Sequence, residues 1–410
     1  MSEVSNNLSD IFKAEYSNLV SVLCRVFGVR DIQLVQDVVS ESFIQAMKSW
    51  SQKGVPDQPK AWLRKVATNK LKDHFRRHQN FNEKISPVIQ REQQWYEEAS
   101  YAEQLIEDSQ LNMIFALCHY DLKSDAQICL SLRLLCGFTP DEIAAALLTN
   151  KENINKKLYR AKQRLRDHKE DWNTLNRTDY IDRVDNAIRV IYLLFNEGYY
   201  SSISDIEIRH ELCWEAMRLG VLLSKQEFLP RKKIYALMGL MCFHASRFDA
   251  RTSVEGQFIL HPDQDRSKWN KPLIIKGEKY LSLASQGSVV SKYHIEAAIA
   301  YWHTQDTTNK WEHILQLYNK LLIIQYTPVV AMNRTYALAK ANSVEEAINE
   351  AQKLNLEGNH LYYSLLAELY RESGDSKMEV KYLNSAIQHA RKENERALLQ
   401  QKLAKASQSE

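Results

Sequence analysis

Apolar residues recur at helical spacing along almost the whole chain, and the breaks in that pattern mark its organisation. Over Asp31–Trp50, Ile32, Val35, Val39, Phe43, Met47 and Trp50 fall on one stripe, with Asp37 and Glu41 on another face at i, i+4. A polar loop follows, SQKGVPDQPK, punctuated by Gly54, Pro56 and Pro59. The next helix, AWLRKVATNKLKDHFRRH, turns Trp62, Val66, Ala67, Leu71 and Phe75 inward and leaves Lys65, Asn69, Lys72, Asp73 and Arg76 to its other sides. Residues 8–78 therefore read as a first helical unit. Residues 79–105 have weak periodicity and contain Pro87, as expected of a linker with at most a short helix. Residues 106–170 form a second helical unit, built from Leu111–His119, Ser124–Cys136 and two further helices. Residues 179–410 are helical again, so the predicted fold class is all-α.

The two helices that close the second unit lie in Thr139–Arg166, TPDEIAAALLTNKENINKKLYRAKQRLR. Thr139 and Glu142 form a capping box with Pro140 at the first helical position, and Thr149 with Glu152 repeats the box pattern. Ile143 and Leu147 give the first helix its apolar face; Ile154, Leu158, Ala161 and Leu165 give the second its own. With those inward, Glu152, Asn153, Lys156, Arg160 and Gln163 face away. That layout fits a helix-turn-helix whose second helix enters a DNA major groove. It also fits an ordinary helical hairpin with a solvated basic face, and the flanking segments have to decide between them.

Charge changes the picture more by its distribution than by its sum. The chain has 410 residues and a formal net charge of only +3, which argues against a uniformly basic coat. Lys60–Arg77, however, holds seven basic residues and one acid, and Lys151–Glu170 eight basic and three acidic. Gln79–Gln110 between them holds two basic and seven acidic residues. Two basic modules on an acidic tether suit a protein that touches one nucleic acid at two places.

Other classes of chemistry find little support. The N-terminus, MSEVSNNLSD, lacks the layout of a signal peptide, and no apolar run approaches the roughly 18 residues of a membrane span. The six cysteines (Cys24, Cys118, Cys129, Cys136, Cys213, Cys242) form no CxxC pair and read as buried thiols of a cytoplasmic protein. No phosphate-binding glycine loop, GxSxG, HExxH or Cys-His pairing appears, so neither an enzyme nor a cofactor is expected. In Glu255–Asn270, EGQFILHPDQDRSKWN, the residues Asp263, Asp265 and Arg266 invite a metal or catalytic reading. Two carboxylates without further oxygen ligands make a poor metal site, and a charged loop capping helices is the expectation.

Near the C-terminus, Tyr370, Gly374, Leu383 and Ala386 occupy the turn and packing positions of a tetratricopeptide-like hairpin, with Glu379 where a small residue is usual. Leu338, Ala347, Ala351 and Leu354 take corresponding places about 32 residues earlier, and Ile314, Tyr318 and Leu321, leading to Pro328, form a weaker unit before that. Repeats spanning about 295–390 and a non-repeating helical bundle both remain open.

The two ordered modules together resemble a known family. LVQDVVSESFIQAMKSW followed by PKAWLRKVATNKLKDHFRR resembles region 2 of an extracytoplasmic-function sigma-70 factor of bacterial RNA polymerase, and DAQICLSLRLLCGFTPDEIAAALLTNKENINKKLYRAKQRLR resembles its region 4. RVIYLLFNEGYYSS, HPDQDRSKW and TPVVAMNR are similar to the subgroup with a long tetratricopeptide-like C-terminal extension. The resemblance implies that Asp37 and Glu41 dock on the clamp helices of core polymerase and that the second module reaches the flap. The loop 51–60 would receive a flipped base of the −10 element, with Lys60, Trp62, Lys65, Asn69, Asp73, Arg76 and Arg77 melting and holding the strand. The helix at 151–166 would read the −35 element, Asn153, Asn155, Lys156 and Arg160 facing base edges and Lys157, Lys162 and Arg164 the phosphates. Asn155, Lys156 and Lys157 depart from the family's usual Lys-Ser-Arg, so no −35 sequence can be transferred. The partners expected are core polymerase, double- and single-stranded promoter DNA, and a protein regulator on the C-terminal region; no membrane is expected. Two alternatives stand beside this: a helix-turn-helix regulator that never joins polymerase, and a repeat adaptor whose basic helices bind protein or RNA.

Overall fold

The structure is a computed structural model, and it describes residues 15–25, 32–77, 99–119, 121–147, 149–167, 175–199, 210–251, 259, 261–390 and 393–407. It is all-α, with no strand among the described residues. The expected linker 79–105 lies outside them up to residue 98. From Ala99 the chain is helical.

The chain divides into two compact units, Met1–Glu197 with Trp214–Pro230, and Gly198–Cys213 with Arg231–Glu410. In the first, α1 (15–25), α2 (Ile32–Lys53) and α3 (Pro59–Arg77) share a core of Leu19, Val20, Leu23, Ile32, Val35, Val39, Phe43, Trp50, Leu63, Ala67 and Leu71. Two expectations are corrected here. Met47 is 57% exposed, and Ala46 is the buried residue of that turn. Steps of three and four residues, 32, 35, 39, 43, 46, 50, keep to one face of a 3.6-residue helix, whereas 47 is rotated about 100° beyond 46. On α3, Leu63 is the fully buried residue. Trp62 lies half-buried, edge-on to Trp50 at 5.5 Å.

The same unit continues with α4 (Ala99–Leu117), α5 (Ser124–Leu134), α6 (Pro140–Ala146) and α7 (Lys151–Asp167). The Thr139–Glu142 capping box forms as the sequence predicts, with Thr139 Oγ1 accepting from Glu142 N–H and Glu142 Oε2 accepting from Thr139 N–H. The second box does not form in that way. Asn150 caps α7, its Oδ1 accepting from Asn153 N–H at 2.8 Å, and Thr149 Oγ1 instead accepts from the Asn153 side chain. Asn is as good a cap as Thr and stands one residue nearer the first helical position. Helix α8 (Arg177–Tyr199) opens against this unit: the Tyr180 ring meets Phe115 edge-on at 4.7 Å and its hydroxyl donates to Asn112 Oδ1. Helix α9 (His210–Ser224) adds Arg218, which donates to Gln110 on α4.

In the second unit, α10 (Arg231–Ala245) is buried on nearly every side and crosses α11 (Lys271–Ala284) at a pair of glycines, Gly239 and Gly277. Beyond it run α12 (Lys292–Thr304), α13 (Lys310–Ile324), α14 (Pro328–Ala341), α15 (Val344–Leu354), α16 (His360–Ser373), α17 (Ser376–His389) and α18 (Glu393–Ala406). Thr327, Ser343, Asn359 and Asp375 each cap the helix that follows, at a constant interval of 16 residues. Helices α14 and α16 consequently start at 328 and 360, and α15 and α17 at 344 and 376, the same offset of 32. Leu338, Ala347, Ala351, Leu383 and Ala386 are buried between them. Glu379 is buried too, and burial holds its carboxyl above the usual range despite Arg371 nearby.

Candidate nucleic-acid interface

Helix α7 rests on Ile154, Leu158, Ala161 and Leu165, all buried, which fixes its rotation and presents the opposite face to solvent. Glu152, Asn153, Asn155, Lys156 and Arg160 are exposed there, with Gln163 half-buried at the edge. Tyr159 is also exposed, at 65%, a large ring between two cations that periodicity did not single out. The signal was available, because position 159 lies between the buried 158 and 161 stripe and the basic edge.

The three cations expected to meet phosphates are all held by the protein itself. Lys157 pairs with Asp125 of α5 at 2.9 Å, a hydrogen bond that lowers the Asp125 pKa and raises that of Lys157. Arg164 donates to the backbone oxygen of Asp121 at 2.8 Å. Lys162 donates to Gln33 Oε1 of α2 at 2.8 Å. Burial, with Arg133 adding to it, pushes the Lys162 ammonium down to about 8. Lys156 and Arg160 have no such partner among the described residues, which leaves them as the most available cations of the reading face.

On the first module, Asp37 accepts from Gln33 Nε2 at 2.9 Å, and Glu41 pairs with Lys70 of α3 at 3.1 Å. Ile44 and Met47 are exposed on the same side of α2, which gives this acidic face an apolar margin. The expected base-receiving loop 51–60 is shorter than its polar composition suggested, since α2 runs to Lys53 and α3 starts at Pro59. Gly54, at φ +81°, ends α2 in a left-handed turn, its N–H bonded to Trp50 O. The short turn is backed by the Trp50–Trp62 pair.

Along α3, Lys65, Asn69 and Asp73 are exposed and one helical turn apart, with Asp73 paired to Arg76 at 3.8 Å. Lys60 is drawn to Glu15 of α1 at 2.8 Å, and Arg64 approaches the same buried carboxylate at 3.7 Å. The backbone of Arg77 closes the helix.

The two modules also meet directly. Tyr16 on α1 is fully buried; its hydroxyl accepts from Gln36 at 3.0 Å, and the Arg133 guanidinium of α5 lies over its ring at 5.3 Å. Gly137, at φ +71°, lets that ring approach within 3.4 Å of where a Cβ would stand. Gln110 of α4, 2% exposed, donates to Asn18 Oδ1 at 2.8 Å and accepts from Arg218 at 2.6 Å. Arg25 approaches Asp108 at 3.8 Å. Sequence reasoning missed this seam. Its signal was the set of polar residues seated on otherwise apolar stripes, Gln36 on α2 and Gln110 on α4.

The remaining candidates separate cleanly. Asp265 accepts from Ser267 N–H and Asn270 from Leu273 N–H, so that segment does cap short helices, and no metal-holding group of His, Cys, Asp or Glu occurs among the described residues. All six cysteines are free, with burial raising the thiols of Cys118, Cys129, Cys136, Cys213 and Cys242. No helix among the described residues is long and apolar enough to cross a membrane.

Comparison with known proteins places the first of these modules. Residues 11–81 match the family profile of sigma-70 region 2, and residues 183–285 match a family of unknown function, DUF6596. A protein of Rhizobium meliloti (strain 1021), described only as uncharacterized, is 30% identical over 365 residues, covering 87% of this chain and 85% of its own. No solved structure matches the chain.

Proposed function

We propose that this sigma-70 family chain, with region 2 at residues 11–81 and 87% of its length aligned to the Rhizobium relative, is an extracytoplasmic-function-type sigma factor with a regulatory helical extension. Region 2 implies a role in transcription initiation, with core RNA polymerase and promoter DNA as partners. On this reading Asp37 and Glu41, with Ile44 and Met47 beside them, dock on the polymerase clamp helices. The turn at 54–58, backed by Trp62, receives a −10 base, and Lys65, Asn69, Asp73, Arg76 and Arg77 hold the opened strand. Helix α7 is the region 4 reader of the −35 element, with Asn153, Asn155, Lys156 and Arg160 toward the bases and Lys157, Lys162 and Arg164 toward the backbone, near the flap. The tetratricopeptide-like hairpins from α13 onward are the regulatory part, offering a surface to a protein partner.

The observation that carries the reading is the pairing of the matched region 2 with α7, a helix anchored by four buried residues and exposing Lys156 and Arg160. Run-off transcription with core polymerase tests it, comparing the full chain with one ending at Pro230, where the first compact unit ends. Start-site-specific transcript from either form is expected. A chain that binds promoter DNA yet never co-purifies with core enzyme would instead be a free-standing regulator, and the proposal would be wrong.

A further inference from the structure

The second unit holds a cluster of aromatic and cationic side chains that promoter binding does not use. Tyr199, at the end of α8, is buried with the Arg251 guanidinium over its ring at 3.6 Å. Its hydroxyl accepts from Arg247 at 2.8 Å, and the same guanidinium lies 3.1 Å from His244 Nδ1. On the other side, the His261 ring stands 4.9 Å from His303 and 5.6 Å from Trp269, whose face is covered by Arg266 at 5.1 Å.

Arg247 sits at the middle of this group. His244, His261 and His303 are all pushed down, first by burial and next by Arg247, His261 to about 3 and His303 to about 4. The three imidazoles are therefore neutral at pH 7. Among the described residues Arg247 bonds to a phenol and an imidazole and to no carboxylate. A half-buried cation bonded to no carboxylate has an anion as its natural complement.

A second observation points to the same place. His261 Nε2, Trp269 Nε1 and Gln264 Oε1 are buried polar atoms with no hydrogen-bond partner among the described residues, and Trp269 is only 6% exposed. Native proteins leave few such atoms, so three of them within the stretch 261–269, whose His261 feels the Arg247 charge, mark a site for a bound group. The frame is also firmly set. Gln264 Nε2 donates to Ile259 O at 3.1 Å, Asn270 N–H to Ser246 O at 2.7 Å, and Arg266 to His303 O at 3.2 Å with an ion pair to Asp306 at 3.5 Å. Such a frame holds donors in position before a ligand arrives, which lowers the ordering cost of binding.

We propose that this cluster is a binding site for a small organic oxyanion, a carboxylate or phosphate on a flat apolar body. Arg247 anchors the charge, His261 and Trp269 are its neutral donors, Gln264 Oε1 accepts where the ligand carries a hydroxyl, as a monoprotonated phosphate does, and Tyr199 and Trp269 supply aromatic walls. The extension thereby becomes a ligand-sensing element as well as a scaffold.

The test uses the full chain and needs no polymerase, so its outcome is independent of the sigma-factor reading. Melting temperature and tryptophan fluorescence are followed during titration with benzoate or inorganic phosphate, against chloride at matched ionic strength. Saturable stabilisation by one or both oxyanions is expected. Benzoate binding more tightly assigns the apolar body a role, and phosphate alone restricts the site to the oxyanion. Arg247→Gln should weaken binding by about ten- to a hundred-fold, the worth of a charge-assisted hydrogen bond. His261→Ala, which removes no existing Nε2 hydrogen bond, should weaken it less and serves if Arg247→Gln folds poorly. Trp269→Phe should abolish the fluorescence change. No stabilisation beyond chloride, or equal stabilisation of wild type and His261→Ala together with Arg247→Gln, overturns the proposal.

Discussion

At the scale of single residues, Lys162 carries the most consequence, because its ammonium is drawn from solvent to Gln33 beside Arg133 and Asp37. With its pKa lowered from 10.5 to about 8 in this arrangement, the closed form binds fewer protons than the separated form between those values. Raising the pH through that window therefore strengthens the contact. Below about pH 8 the lysine is charged in both forms and the full cost of burying it is felt. Lys162→Met should accordingly raise stability near pH 7 by about 1 kcal/mol, in line with replacement of buried charges by apolar groups, and should flatten the melting temperature between pH 8 and 10.5. Parallel pH profiles for wild type and variant would refute this. On the reading face, Arg160→Ala should weaken binding to one promoter class by about ten- to a hundred-fold, a bidentate base contact being worth roughly 1–3 kcal/mol. Lys157→Ala should weaken all sequences alike, helped by the carboxylate of Asp125 that it uncovers. Binding curves on a panel of promoters distinguish the two, and equal losses everywhere from both would reject the division of roles. The inward residues Ile154, Leu158, Ala161 and Leu165 were legible because one amphipathic helix suffices to place them. The hold on Lys162 was not, since Gln33 lies 129 positions away and nothing local encodes the meeting.

Among elements, the crossing of α10 and α11 is the tightest joint in the second unit. A Cβ on Gly277 would stand 2.8 Å from the Phe243 ring, and one on Gly239 would stand 3.3 Å from the Gly277 backbone oxygen. Gly277→Ala gains about 1 kcal/mol of helix propensity but forces a packed ring aside, which costs roughly 1–3 kcal/mol. A lowered melting temperature is the expected result, and an unchanged or raised one would mean that Phe243 moves freely. Most helices were readable from their apolar periods, with errors where a neighbouring residue serves the same purpose, as Ala46 does for Met47 and Asn150 for Thr149. The 16-residue beat of Thr327, Ser343, Asn359 and Asp375 was present in the sequence but hidden, because four different residue types perform one capping function. The oxyanion cluster was obscured for another reason. Tyr199, Arg247, His261 and His303 come from distant segments, and only folding assembles them.

For the whole molecule, the seam between the two basic modules sets the central expectation. Elements named −10 and −35 lie about 25 base pairs apart, roughly 85 Å at 3.4 Å per pair. On the proposed reading, modules joined by a 2.8 Å hydrogen bond between Lys162 and Gln33 cannot occupy both. Fluorescence energy transfer between labels at exposed positions 48 and 166 should therefore fall steeply when core polymerase and promoter are added. Transfer that stays high in a transcribing complex would show that the seam persists and that the two elements are reached in another way. The seam includes amides, a phenol and guanidinium groups, which water can solvate if the modules part. One member of it, Gln110, spends both ends of a single amide: its nitrogen on Asn18 of α1, its oxygen on Arg218 of α9, within the stretch that matches the family of unknown function. Neither bond can be lost without stranding part of a buried side chain, so the two separations are thermodynamically linked. Whatever displaces Arg218 therefore strands the Gln110 oxygen, one amide away from the bond that holds α1, and on the proposed reading α1 belongs to the module that melts the strand.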